Sequence, residues 1–583
     1  MKQPIDSDSD LSKTSPTSAN PFWVKLFENK YLYYLIIPIL FAINCWQAPL
    51  YYSNQNQYFL HGFAEAKIGY LEEDWLAKCA DPTPVFTTLV SWTKLHLAEA
   101  VFYLDYAIIQ GLYILTLVAI ARTIIALLSM RLLVAEGREK DQRTRLFLVV
   151  VCLFAIHAAL WRFFGYRWLG NDYLWFFQSG VAGQYILGAM FQPSVFGVFL
   201  LIAISCYLRE RFILASIWIA LGCYLHTTYL LPGALLTLGF QFGFVLEKRY
   251  GKAIQLGLLT LILVLPIVYY SWQEFSPTDL ETFRSAQTIL SQDRIPHHCR
   301  VDRWFEWIAA CQLVMISLAI MLLPIRRGRN ALAASLFLAA CLTIFQALSG
   351  NTTLALLFPW RLTAILMPIS TTVLVTFLIM KMPRWVESSL IRTALLIFFI
   401  GTIIGGLVIG IGRYGFFVNN AEDELMAFVR DHRQANQIYL LPVKMPDLSK
   451  NPRGSLSSDF KPLIEKQQSS QIIQIDLQRF RLHTGTPIYI DFKSIPYTDQ
   501  DVLEWKRRLK QTEEIYKQLR EILHSPKDHQ AKLTALIQEL QQAKITHIVL
   551  PIQPNGANET ISELPEVYRD RYYQVLSIPQ LGR

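Results

Sequence analysis

NQNQYFLHGFAEAKIGYLEEDWLAKCADPTP, Asn54–Pro84, follows the first long apolar stretch of the chain. It is polar and aromatic, and Glu65, Glu72, Glu73 and Asp74 fall within ten residues of one another. As a solvated turn it would be ordinary. As the head of a membrane enzyme it would carry the chemistry. The side of the membrane it occupies decides between the two, and the segments around it set that side.

The chain has 583 residues, 53% of them hydrophobic and 17% charged, where soluble domains carry about 25%. Apolar runs fill it up to about residue 415 and a polar segment follows. The profile is that of a multi-pass membrane domain, 31–415, with a soluble tail, 416–583. The 14 Trp and 27 Tyr suit two interfacial belts. Residues 1–30 begin Ser-, Asp- and Pro-rich and read as a disordered cytoplasmic terminus. The net charge of +9 does not imply nucleic acid, because the basic residues sit in short clusters between apolar runs. The eight cysteines show no CxxC pair or zinc spacing. Cys79 and Cys299 lie in polar loops, and a bridge between them stays open.

A span needs about 20 apolar residues, fewer inside a bundle. Runs near 31–49, 101–121, 146–161, 186–208, 212–225, 229–246, 253–271, 305–324, 331–349, 362–380 and 390–412 give roughly eleven. With the N-terminus inside, five consecutive inner loops are short and basic: Arg131–Arg145, Arg209–Arg211, Lys248–Lys252, Arg326–Arg329 and Lys381–Arg392. The outer loops, 50–98, 162–185 and 272–304, hold the unusual chemistry. The map that follows has a cytoplasmic N-terminus and an extracytoplasmic tail. In that tail QIYLLP (437–442), PIYIDF (487–492), ITHIVLP (545–551) and YYQVLSIP (572–579) read as strands, with helices near 499–523 and 527–543. The alternation suggests an α/β domain with a mostly parallel sheet.

The layout resembles the GT-C superfamily of integral-membrane glycosyltransferases. The likeness rests on a long acidic first outer loop, Asp172 in the second, YLHTTYLLPGALL (224–236) at a span end, and an outer α/β tail. The stretches LEEDWLAKCADPTPVF, RIPHHC and FRLHTGTPIYIDFKSIPY are more closely similar to an uncharacterised bacterial polytopic membrane protein family, which brings no established activity. The GT-C likeness implies a mainly α, GT-C-like bundle. It implies transfer of a sugar from a polyprenyl-phosphate donor to an envelope glycan, lipid or protein, with a first-loop carboxylate as base or as ligand of Mg²⁺ or Mn²⁺. The acid expected just after the first span is missing, since the segment reads Ser53, Asn54, Gln55, Asn56, Gln57. Either the acid is shifted to Asp74, or the architecture serves non-catalytic binding or movement of lipid-linked glycans. A secondary transporter is the third reading, against which stands the lack of a visible repeat.

The residues divide accordingly. Asp74, Glu73 and Asp172 are the candidate catalytic acids, with Asp74 and Asp172 as the cation ligands, because carboxylate oxygens suit hard cations. The same acids could equally form a solvated turn. His297, His298, Arg300, Arg361 and His61 are the candidate substrate-binding residues, imidazole and guanidinium together suiting phosphate. Each could also be an ordinary loop or interfacial residue. Asp105, early in the second span, is a lesser cavity candidate. Arg481, Asp491 and Lys493 surround a strand end, a place where open sheets often carry sites, and read as structural residues or as residues that dock the tail on the membrane domain.

Overall fold

The computed structural model describes residues 30–131, 138–161, 164, 176–383, 388–412, 420–443, 477–524, 530–552 and 563–579. Asp172 lies outside them. The fold is mainly helical, with a small C-terminal sheet. Seven helices among the described residues are long and apolar enough to cross a membrane: 101–130, 142–161, 227–246, 250–274, 326–349, 352–381 and 390–412. Four more apolar helices, Tyr33–Cys45, Pro193–Leu208, Phe212–Leu225 and Trp307–Leu322, have only 10–17 residues. All eleven fall on stretches expected to span. At about 1.5 Å per residue the short ones reach roughly 15–25 Å, less than a ~30 Å hydrocarbon core.

The segment 352–381 is the central post of the bundle, and from Leu362 to Val373 every residue is buried. Three of its hydroxyls are satisfied within the helix: Ser370, Thr371 and Thr372 donate to the carbonyls of Leu366, Met367 and Pro368, at 2.8, 3.1 and 2.8 Å, while the buried Thr376 Oγ1 has no partner. The outer helices expose apolar side chains instead, such as Ile262 and Leu265 on 250–274. That is the surface a bilayer solvates.

Helix Tyr250–Glu274 ties the two ends of the bundle to different partners. At its start Arg249 pairs with Glu210 (2.8 Å), and Glu210 pairs with Arg327 (2.9 Å). Just past its end Thr278 Oγ1 donates to Asp499 of the tail (2.8 Å). The basic loops and the tail therefore occupy opposite ends.

In the tail, β1 (Tyr439–Leu440), β2 (His547–Pro551), β3 (Glu566–Arg569) and β4 (Tyr573–Ser577) form a sheet in the order β1-β2-β4-β3. Only β1 and β2 run parallel, so the expected mostly parallel sheet is corrected to a mixed one. The cause is the tight turn at Asp570, whose carboxylate accepts from the amides of Tyr572 and Tyr573 and folds β3 back on β4. The expected strand 487–492 is reduced to one bridge, Tyr439 to Ile488. The Ile488 amide is claimed by Asp74 of the membrane domain, and the carbonyls of Tyr489 and Asp491 accept from Arg508 and Trp505 of the tail. The helices at Asp499–His524 and Gln530–Gln542 match expectation, and Val502, Leu509, Ile515, Leu519 and Ile522 are all buried in the tail core. All eight cysteines are free thiols, so Cys79 and Cys299 are not bridged.

Candidate functional site

The opening stretch meets the tail at Asp74, which follows the 3₁₀ turn Leu71–Glu73. Asp74 is fully buried. Its Oδ1 accepts from the amide of Leu76 (2.9 Å), and its Oδ2 accepts from the amide of Ile488 (3.0 Å). Arg481 Nε lies 2.9 Å from the same Oδ2, and Arg481 Nη1 lies 3.2 Å from Asp491 Oδ2. Beside this pair Tyr70 N donates to Gly485 O (2.8 Å). Gly69 and Gly485 are both left-handed, with φ of +59° and +70°, and a Cβ on Gly69 would stand 2.2 Å from Gly485 O. Glu73 also reaches the tail, accepting from Asn436 N (2.9 Å).

Two of the three expected catalytic acids are therefore docking residues. Asp74 Oδ2 is committed to Ile488 and Arg481 of the tail, and its Oδ1 to the Leu76 amide of its own loop. No group of three or more metal-ligating side chains occurs among the described residues. Asp172, the second ligand expected for Mg²⁺ or Mn²⁺, lies outside those residues.

The substrate-binding candidates fare differently. His298 sits in the short helix Pro296–Cys299 and donates from Nδ1 to Ala182 O (2.8 Å), which leaves Nε2 as an acceptor. Three cations act on it: Arg361, Lys493 and Arg294. Burial, reinforced by those cations, pushes His298 down to about 4. His297 lies against His298 with ring centroids 4.0 Å apart and the ring planes at 48°, and is held well below its ordinary value by burial, with His298, Arg294 and Lys493 beside it.

Arg361 lies at a break in 352–381 where Phe358 is left-handed (φ 51°). Its Nε donates to Gln184 Oε1 (3.0 Å), its Nη1 donates to Thr228 Oγ1, and His226 Nε2 lies 3.5 Å away. Arg294 is buried, stacks over Phe492 at 5.2 Å and donates from Nη2 to Lys493 O (2.6 Å), while its Nε has no partner. Burial, with Arg294 beside it, pushes the Lys493 ammonium down to about 7.

The negative charge near these groups is small. Among the described residues Asp491 is the carboxylate that bears on Arg294 and Lys493. It also pairs with Arg481 and accepts from Ser494 N (2.5 Å). Burying cations without counter-ions is costly. A site left this way suits an anion that brings its own charge, and guanidinium forks match phosphate oxygens.

Neutral donors complete the cluster. Gln57 Nε2 donates to Tyr497 Oη (2.7 Å), and the hydroxyls of Tyr58 and Tyr497 are 3.4 Å apart. Both phenols act on Arg294 and on Arg361. The segment Gln55–Tyr58, where an acid was expected, is a short helix that supplies this amide and phenol instead. His61 lines a cavity of about 10 Å³ beside Tyr58 and Tyr497, room for about one water. Burial lowers its pKa. Arg300 does not join the cluster, because it is salt-bridged to Asp302 (2.7 Å) at the surface. Asp105 has a buried oxygen without a partner, outside this cluster.

Lys493, Tyr58, Tyr497 and Gln57 were not among the sequence candidates for substrate binding, whereas Arg294 flanks the paired histidines that were. The signal that could have found them is the pairing of RIPHHC with FRLHTGTPIYIDFKSIPY. The first supplies Arg294, His297 and His298, and the second supplies Arg481, Asp491, Lys493 and Tyr497.

Residues 466–512 are similar to a family described as a domain of unknown function (DUF6798). No curated protein matches the chain. The described part of the matched segment, 477–512, docks on Asp74 through Arg481 and Ile488 and supplies Lys493 and Tyr497 to the cation cluster. The likeness therefore falls on the junction between the membrane domain and the tail.

Proposed function

We propose that the chain binds the phosphate of a polyprenyl-phosphate-linked sugar through Arg294, Arg361 and Lys493, on the extracytoplasmic face of a bacterial inner membrane. The proposal keeps the GT-C-like plan with its eleven spans, four of them short. The observation that carries it is the convergence of three cations on His298 with so little carboxylate to balance them. A donor phosphodiester supplies the missing negative charge, and its polyprenyl tail keeps to the bilayer.

Transfer of the sugar to an envelope glycan, lipid or protein is the activity that the GT-C likeness implies. In that form the base would be a neutral imidazole, His297 or His61, rather than Asp74. Burial keeps these rings unprotonated, as a proton acceptor must be. A second reading, holding or moving the lipid-linked glycan without transfer, is favoured by the commitment of Asp74 and Glu73 to the dock.

The test uses the full chain in nanodiscs with a polyprenyl-phosphate sugar, reading binding and sugar transfer in parallel. Arg294→Met should weaken binding about 10–100-fold, the worth of a charge-assisted hydrogen bond of ~1.5–3 kcal/mol. Transfer that His297→Gln abolishes supports the enzyme. Binding without transfer in the native chain supports the carrier. Binding that Arg294→Met leaves unchanged overturns both.

A further inference from the structure

A second cavity, of about 490 Å³, lies where helix Arg326–Ser349 ends against the loop 289–305. Cys299, next in the chain to His298, borders it, but Arg294, Arg361, Lys493 and the two histidines do not. Its size falls in the ~300–1,000 Å³ range of ligand sites. Its charge differs from that of the phosphate site, because the ions on its wall, Arg300 and Asp302, neutralise each other at 2.7 Å.

The wall carries one unmet demand. Gln346 is 8% exposed, and its buried Oε1 has no hydrogen-bond partner. Turning the amide over would bury an unpartnered nitrogen there instead, so the demand stays either way. A buried polar atom of this kind is unfavourable until something donates to it. Ser291, also buried, adds a hydroxyl to the wall, and Phe305, 58% exposed, offers an aromatic face. Gln346 lies in the last turn of a helix long and apolar enough to cross a membrane, the level at which lipid headgroups sit.

We propose that this cavity binds the neutral, hydroxylated headgroup of an amphiphile. One ligand hydroxyl donates to Gln346 Oε1, and further hydroxyls meet the Arg300–Asp302 pair. The apolar part of the headgroup lies on Phe305, and the tail leaves into the bilayer. The inference is independent of the phosphate reading, since the two sites share no lining residue named above.

The experiment titrates hexyl β-glucoside, and separately glucose, into the full chain in nanodiscs, followed by saturation-transfer NMR. Hexyl glucoside should bind the native chain. Gln346→Leu should weaken it about tenfold while leaving thermal stability without ligand equal or higher, because the substitution removes an unmet acceptor. Phe305→Ala, at an exposed position, should weaken it as well. Arg361→Met should leave glucoside binding unchanged. Equal binding by Gln346→Leu, or a loss of ligand-free stability in it, would overturn the site, since Gln346 would then be structural. Glucose binding as tightly as hexyl glucoside would overturn the amphiphile. Loss of glucoside binding in Arg361→Met would overturn the separation of the two sites.

Discussion

Asp74→Asn separates a docking acid from a catalytic one. The substitution keeps the shape of the side chain and removes the charge that faces Arg481 at 2.9 Å. Arg481 is 3% exposed, so water cannot replace the lost partner. Breaking a buried pair by removing one member costs about 3–5 kcal/mol. Asp491 still holds Arg481 Nη1 at 3.2 Å, which puts the expected cost at the low end, about 3 kcal/mol. At about 1.4 kcal/mol per decade, the dock should open roughly a hundred times more often. Tyr70 N, bonded across the dock to Gly485 O, reports that opening without touching Asp74. Its amide hydrogen exchange should lose about two decades of protection, while amides in the middle of 352–381 keep theirs. Arg481→Gln should act similarly, and the double variant should cost less than the sum of the two. Unchanged protection at Tyr70, together with loss of sugar transfer, would refute the argument and return Asp74 to the catalytic role.

Binding of a phosphodiester, whose own charge is constant, should weaken as pH rises through about 7, because Lys493 then loses its proton; Lys493→Met should flatten that profile in calorimetric titrations. The same depressed ammonium costs stability below pH 7, and that cost should fade between pH 7 and the ordinary lysine value of 10.5, so melting temperature should rise over this window in the native chain but not in Lys493→Met. Gly69→Ala would set a Cβ 2.2 Å from Gly485 O at a φ of +59°, and should expose the tail junction to limited proteolysis as Asp74→Asn does. Glu210→Gln, at a half-exposed acid that its arginine partners lower to about 2, should cost less than Asp74→Asn, about 1 kcal/mol or below in thermal unfolding.

Hydrophobic run length is a local property, so the positions of the apolar helices were legible in the chain. The helix Asp499–His524 was legible for the same reason, since its buried stripe repeats at helical spacing. The strand expected at 487–492 was not, because Ile488 gives its amide to Asp74, 414 positions away in sequence. The sense of the sheet was decided by the turn at Asp570, which pairs β3 with β4 antiparallel.

The candidate site shows the same division. Residue type alone marked His297, His298 and Arg361 as able to meet phosphate, and that chemistry needs no fold to be read. The roles of the acids were decided only in three dimensions. The cluster at Glu72–Asp74 read as catalytic because carboxylates in the first outer loop suit a base or a ligand of a hard cation. The use turned out to be Arg481 and the amides of Leu76, Ile488 and Asn436. Arg294 and Lys493 lie about 200 positions apart in sequence and touch through a 2.6 Å hydrogen bond. An anion site made from such residues exists only after the tail has folded back onto the bundle, because the field of each charge depends on the others that burial brings beside it.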